Sequence, residues 1–160
     1  MKTKLGFITN SSSSSFIVAW DKKVEKIEDV KKYMTFALKR QIEVIFDEIQ
    51  NQEPLVIKPN NFDFDFDNVL GGITDKIFGI INSGSFPGIK NPSLNTNREE
   101  WDLIDKENEK IALKLTKQFL TEAQGKVIYY FHYSDDTDFW GEMEHGDLFR
   151  NLQHLRISHH

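Results

Sequence analysis

Lys4-Leu5-Gly6-Phe7-Ile8-Thr9-Asn10-Ser11-Ser12-Ser13-Ser14-Ser15-Phe16-Ile17-Val18-Ala19-Trp20 is the stretch on which the reading of the fold turns. Two β-prone apolar runs flank a polar centre, so the spacing predicts strand, loop, strand, with both strands buried enough to seed a sheet. The five serines, Ser11 to Ser15, offer hydroxyls and backbone N–H groups of the kind that bind anions. Phosphate loops, however, use glycine for close approach and open a helix, whereas this run leads into Phe16-Ile17-Val18. The serines therefore read as a solvated hairpin loop that a glycine–serine spacer can replace. Charge at Phe16 or Ile17 is expected to prevent folding.

Outward from Trp20 the period changes to a helical one. Ile27, Val30, Met34, Leu38, Ile42, Ile45 and Ile49 recur every three or four residues, which predicts one long amphipathic helix over roughly 24–51, closed before Pro54. Leu55-Val56-Ile57 reads as a short strand. Phe62-Asp63-Phe64-Asp65-Phe66-Asp67 alternates with period two, Phe inward and Asp outward. A weaker helix follows through Leu70, Ile73, Ile77 and Ile81, and a loop runs from Asn82 to Thr96 with Gly84, Pro87, Gly88 and Pro92 as breakers. Asn97 with Glu100 makes a capping box for a second long helix, carried by Trp101, Ile104, Ile111, Leu115 and Phe119 and ended by Gly125. Lys126 to Ser134 is the strongest strand signal, apolar on both faces and so expected near the middle of the sheet. Beyond it, Phe139 to Glu144 is read as extended, Asp147 to Leu152 as a short helix, and Leu155 to Ser158 as a terminal strand.

These elements predict a single domain over 1–160 of α/β or α+β class, a mixed sheet of four to six strands packed against two long helices. At 160 residues, 39% of them hydrophobic, one core of that kind is affordable and a second is not. The formal charge of −5 argues against nonspecific nucleic-acid binding, which needs clustered Lys and Arg. The chain has no cysteine, which removes disulfides, thiolate metal sites and Cys nucleophiles. Met1 to Ile8 is too short in its apolar part for a signal peptide, and no segment approaches the roughly 20 apolar residues of a membrane span. The expected setting is the cytoplasm, with no membrane partner.

Motifs for chemistry are sparse. No G-x-S-x-G, Walker loop, G-x-G-x-x-G or H-E-x-x-H occurs. Asp63, Asp65 and Asp67 begin like a calcium loop, but Asn68 and Thr74 stand where its glycine and bidentate Glu belong. A second partial match through Asp136, Asp138, Gly141 and Asp147 puts Trp140 at a ligand position. All five histidines, His132, His145, His154, His159 and His160, fall in the last part of the chain among Asp135, Asp136, Asp138, Glu142, Glu144 and Asp147. Imidazole with carboxylate is ordinary zinc or manganese chemistry. The candidate ligands are His145 and His160, with Glu142 and His154 in support. Glu142 and His145 have the i, i+3 spacing of a helical ligand pair, although Gly141 and Gly146 weaken that helix.

Gly6-Phe7-Ile8-Thr9-Asn10, the serine run and Phe16-Ile17-Val18 together resemble an N-terminal signature of uncharacterised bacterial and bacteriophage proteins. Glu144-His145-Gly146-Asp147-Leu148-Phe149-Arg150-Asn151-Leu152 and the ending Arg156-Ile157-Ser158-His159-His160 are similar to the C-terminus of members of that group. The resemblance implies a native final His pair and a phage or mobile-element setting, and carries no activity. Two functions are expected from the residues. The first is a non-enzymatic binding or inhibitor-type protein that meets an intracellular protein through an acidic surface, with Asp63, Asp65 and Asp67 as contacts. The alternative is a metal-dependent hydrolase or nuclease built on the C-terminal His and carboxylate cluster.

Overall fold

The computed structural model describes residues 12–56, 79–81 and 88–159. The expected strand Lys4 to Ile8, the Asp63, Asp65, Asp67 ladder, most of the weak helix before Ile81, and His160 lie outside the described residues.

Among the described residues four strands form one sheet: β1 (Ser13–Trp20), β2 (Leu55–Val56), β3 (Val127–Ser134) and β4 (Gln153–His159). Their spatial order is β2-β3-β1-β4. Every pairing among the described residues is antiparallel, so the α+β alternative holds and the sheet is not the expected mixed one there. β1 lies between the two other long strands, with Phe16 opposite Phe131 on one side and Arg156 on the other. Of the strands, β3 carries the apolar sequence expected of an interior position, and it has β1 and β2 as neighbours. Just before β2 begins, the Gln52 side chain extends the ladder, its Nε2 donating to the Tyr130 carbonyl and its Oε1 accepting from the Tyr130 N–H.

The last three serines of the run are not a loop. Ser13, Ser14 and Ser15 are strand residues of β1, and Ser14 is completely buried. Serine is a weak strand former, and it holds this conformation because its neighbours pair on both sides and its hydroxyls find partners, Ser14 on Glu144 and Ser15 on His132.

Two helices, α1 (Ile27–Lys31) and α2 (Lys39–Gln50), replace the single long helix expected over 24–51. Backbone at Leu38 is extended, and the Gln41 side chain accepts its N–H to start α2. The carbonyl of Tyr33, released where the first helix stops, accepts from the Asn151 side chain. A residue far along the chain thus satisfies the break, and local periodicity carries no trace of it. α3 (Arg98–Glu122) starts as expected: Asn97 Oδ1 accepts from the Glu100 N–H, and Glu100 Oε2 accepts from the Asn97 N–H. Glu99 and Glu100 also face the positive end of its dipole. The chain leaves through Gly125 at φ +75, the left-handed conformation that favours glycine.

Phe139 to Glu144, expected as extended, belong instead to α4 (Asp138–His145). Asp147 to Leu152, expected as a helix, form turns, entered through Asp147 at φ 51. The alternation of β1 sends Phe16, Val18 and Trp20 to a core with α1, α2, α4 and the aromatic Phe149, and Ile17 and Ala19 to a second core with α3. Helices therefore cover both faces of the sheet. No helix among the described residues is long and apolar enough to cross a membrane.

Candidate functional site

The β3 strand ends at Ser134, and Asp135 extends the ladder by donating its N–H to the Ser12 carbonyl. Thr137 then caps α4, its hydroxyl accepting from the Trp140 N–H. A helix of this length started here buries Met143 and Glu144 against the sheet and leaves His145 at the surface. Glu144 arrives under the serine end of β1.

Glu144 is 1% exposed, and its carboxylate is met by the serine run. Ser14 Oγ donates to Oε1 at 2.9 Å and Ser12 Oγ lies 3.0 Å from Oε2. The Arg156 guanidinium, reaching across from β4, stands 3.8 Å from Oε1 and donates through Nε to Ser14 Oγ at 3.1 Å. A buried carboxylate needs this much: counter-charge and hydrogen bonds together offset its lost hydration. Ser12 Oγ also lies 3.0 Å from Asp135 Oδ2, so one hydroxyl hydrogen is shared between two carboxylates.

His145 closes the group. Its Nδ1 sits 3.1 Å from Arg156 Nη2 and its Nε2 3.4 Å from Glu144 Oε2. A guanidinium only donates, so Nδ1 accepts and the imidazole N–H is on Nε2, facing Glu144. One ligand atom from each of Asp135, Glu144 and His145 falls within 4.8 Å of the others. Two carboxylates and an imidazole that converge in this way could hold a divalent metal ion such as zinc or manganese, with the ion taking the place of the Arg156 contact on the imidazole.

The sequence candidates fare unevenly. His145 belongs to the cluster. Glu142 is exposed, one turn back on α4, and lines the depression beside the cluster without joining it. His154 faces the other end of β4, opposite Val18, with Nδ1 bonded to the Leu152 carbonyl at 2.9 Å. The i, i+3 spacing thus pointed to the helix that carries His145, but the carboxylate on that helix that lies beside His145 is Glu144. Asp135 and Glu144 were legible only as members of an acidic region, since a strand end and a helix end bring them together.

An open depression of about 680 Å³ adjoins the cluster, lined by Asp135, Asp136, Asp138, Glu142 and His145 among others. On the opposite face of the sheet Ser15 Oγ bridges two imidazoles, 3.0 Å from His132 Nδ1 and 2.9 Å from His159 Nε2. Alternate serines of one strand therefore serve two polar groups, one on each face. Beside β3, the Tyr133 hydroxyl donates to Glu48 Oε2 at 2.5 Å. Burial raises the Glu48 carboxyl above the usual range, and this hydrogen bond partly opposes the rise. Burial also pushes the Tyr133 phenol well up, and the nearby Glu48 charge adds to it.

No protein-family model, curated protein or solved structure matches this chain.

Proposed function

We propose that this protein is a non-enzymatic binding module whose working surface is the acidic depression at Asp135–Gly146, with a divalent cation held by Asp135, Glu144 and His145. The observation that carries the reading is the convergence of these three ligand atoms within 4.8 Å at the rim of a depression lined by further carboxylates. A cation there would be attracted by Asp136, Asp138 and Glu142 as well as by its ligands. The same carboxylates would repel a phosphodiester, which weighs against a nuclease. A hydrolase acting on an uncharged or cationic substrate is the second reading, favoured by one observation: a set of three protein ligands, of which Asp135 and His145 are exposed, leaves coordination positions for water.

Calorimetric titration of metal-free protein with Mn²⁺ or Zn²⁺ tests the proposal. One ion per chain is expected, with a rise in melting temperature by mass action. His145→Ala and Asp135→Asn should each abolish the uptake, while Glu142→Gln, outside the cluster, should leave the stoichiometry unchanged. Absence of stoichiometric uptake in the parent protein, or uptake that survives both ligand substitutions, refutes the site.

A further inference from the structure

A separate cleft lies where α2 faces the end of β3 and the start of α4. Its volume is about 240 Å³, and Glu48, His132, Tyr133, Ser134, Asp136 and Trp140 line it. That is below the roughly 300–1,000 Å³ of pockets that take a whole small-molecule ligand, and suits one side-chain head group. Two walls are carboxylates. Glu48 has one described hydrogen-bond partner, the Tyr133 hydroxyl on Oε2. Asp136 is exposed and accepts from Ser134 Oγ at 2.6 Å. The imidazole in the lining, His132, is held through Nδ1 by Ser15. A third wall is aromatic: Trp140 stacks on Tyr133 with ring centroids 6.0 Å apart and planes 23° from parallel.

We propose that this cleft is an arginine-binding subsite for a partner protein, in which the guanidinium of one partner side chain enters between Glu48 and Asp136 and stacks on Trp140. Charge decides the sign of the ligand, because two carboxylates face the space. Shape decides between cations, because a planar guanidinium can stack on an indole and donate to carboxylates at once, whereas an ammonium is a strongly hydrated point charge. The chain itself makes this contact beside the cleft: Arg40 lies 4.1 Å over Phe139, whose ring packs edge-on against Trp140. The subsite shares Asp136 with the acidic depression but needs no metal ion, so it stands apart from the cation-binding proposal.

Titration of ¹⁵N-labelled protein with Nα-acetyl-arginine methylamide, in EDTA to remove divalent ions, tests it. The chain has three tryptophans, and of their indole N–H signals that of Trp140, assigned through Trp140→Phe, should move saturably while those of Trp20 and Trp101 stay in place. The lysine analogue should bind about tenfold more weakly. The citrulline analogue, equal in shape and uncharged, should give no saturable shift. Glu48→Gln should weaken arginine binding about tenfold, the loss of one charge-assisted contact, with an unchanged circular dichroism spectrum. An unmoved Trp140 signal, equal shifts from citrulline and arginine, or undiminished binding in Glu48→Gln each overturn the proposal.

Discussion

Glu144 shows what a single buried charge demands. Its oxygens meet Ser12, Ser14, Arg156 and His145 within one small volume, drawn from both chain ends and α4. Ser14→Ala removes a hydrogen bond to a buried carboxylate and should cost about 1.5–3 kcal/mol in urea denaturation. Arg156→Gln removes the counter-charge and should lower the melting temperature of metal-free protein. The same variant should show a larger thermal shift with Mn²⁺ than the parent, because the cation then supplies the missing positive charge. Equal shifts in the two proteins would separate Arg156 from the cation site. Glu48 makes a different prediction, since burial raises its carboxyl in the folded state. A raised acid holds its proton more tightly when folded, so its favourable contribution is present at low pH and is lost as pH rises through the raised value. Glu48→Gln keeps an acceptor for Tyr133 and avoids the buried charge. Its melting temperature should exceed the parent's at neutral pH, and the gap should narrow as pH falls and the parent's Glu48 becomes protonated. A gap that widens on acidification would show that the ionised form is the one the fold favours.

Among the elements, β1 departs furthest from its sequence pattern. Five serines in a row look like solvent-exposed loop, yet the last three lie in a strand flanked by two others and their hydroxyls address opposite faces. Replacing Ser12 to Ser15 by glycine should therefore be costly, reversing what a hairpin loop would allow. Glycine costs roughly 0.5–1 kcal/mol at each strand position, before the lost contacts of Ser14 and Ser15 are counted. A melting temperature within a degree or two of the parent would restore the loop reading. The helix α3 is the opposite case, because its cap, its first-turn acids and its terminal Gly125 are all local signals and all appear where expected. Asn97→Ala should cost about 1 kcal/mol, the usual loss for a capping side chain. At the end of α4, Gly146 is required by space: a Cβ there would stand 2.3 Å from the Glu142 carbonyl oxygen, so Gly146→Ala should shift the helix end that carries His145. Weaker metal uptake in that variant, measured by the same titration, is the expected consequence.

At the scale of the molecule, the antiparallel sheet separates two apolar clusters, and Phe149 fills the larger one from a turn. Its ring centroid lies 5.3 Å from that of Phe16, 6.3 Å from Trp20, 4.8 Å from Phe131 and 6.3 Å from the His154 imidazole, so it touches all three long strands. Phe149→Ala should cost about 3–5 kcal/mol in denaturant unfolding, enough to unfold a domain of ordinary stability. A loss below 1 kcal/mol would mean that the turn is not part of the core. Sequence alone determined the features whose causes are local: the α3 cap, the left-handed stop at Gly125, the apolar β3 and the terminal strand; it left α/β and α+β open, and the antiparallel pairings decided for α+β. It also pointed to the C-terminal region, where His145 lies within reach of two carboxylates. Tertiary structure decided the rest. The break between α1 and α2 depends on Asn151 accepting the role of distant hydrogen-bond partner, the serines become strand because β3 and β4 pair with them, and Asp135 and Glu144 meet because β1 and β3 end beside α4. Each of these outcomes is set by groups more than a hundred residues apart in the chain or on separate elements, and periodicity and propensity describe only neighbours.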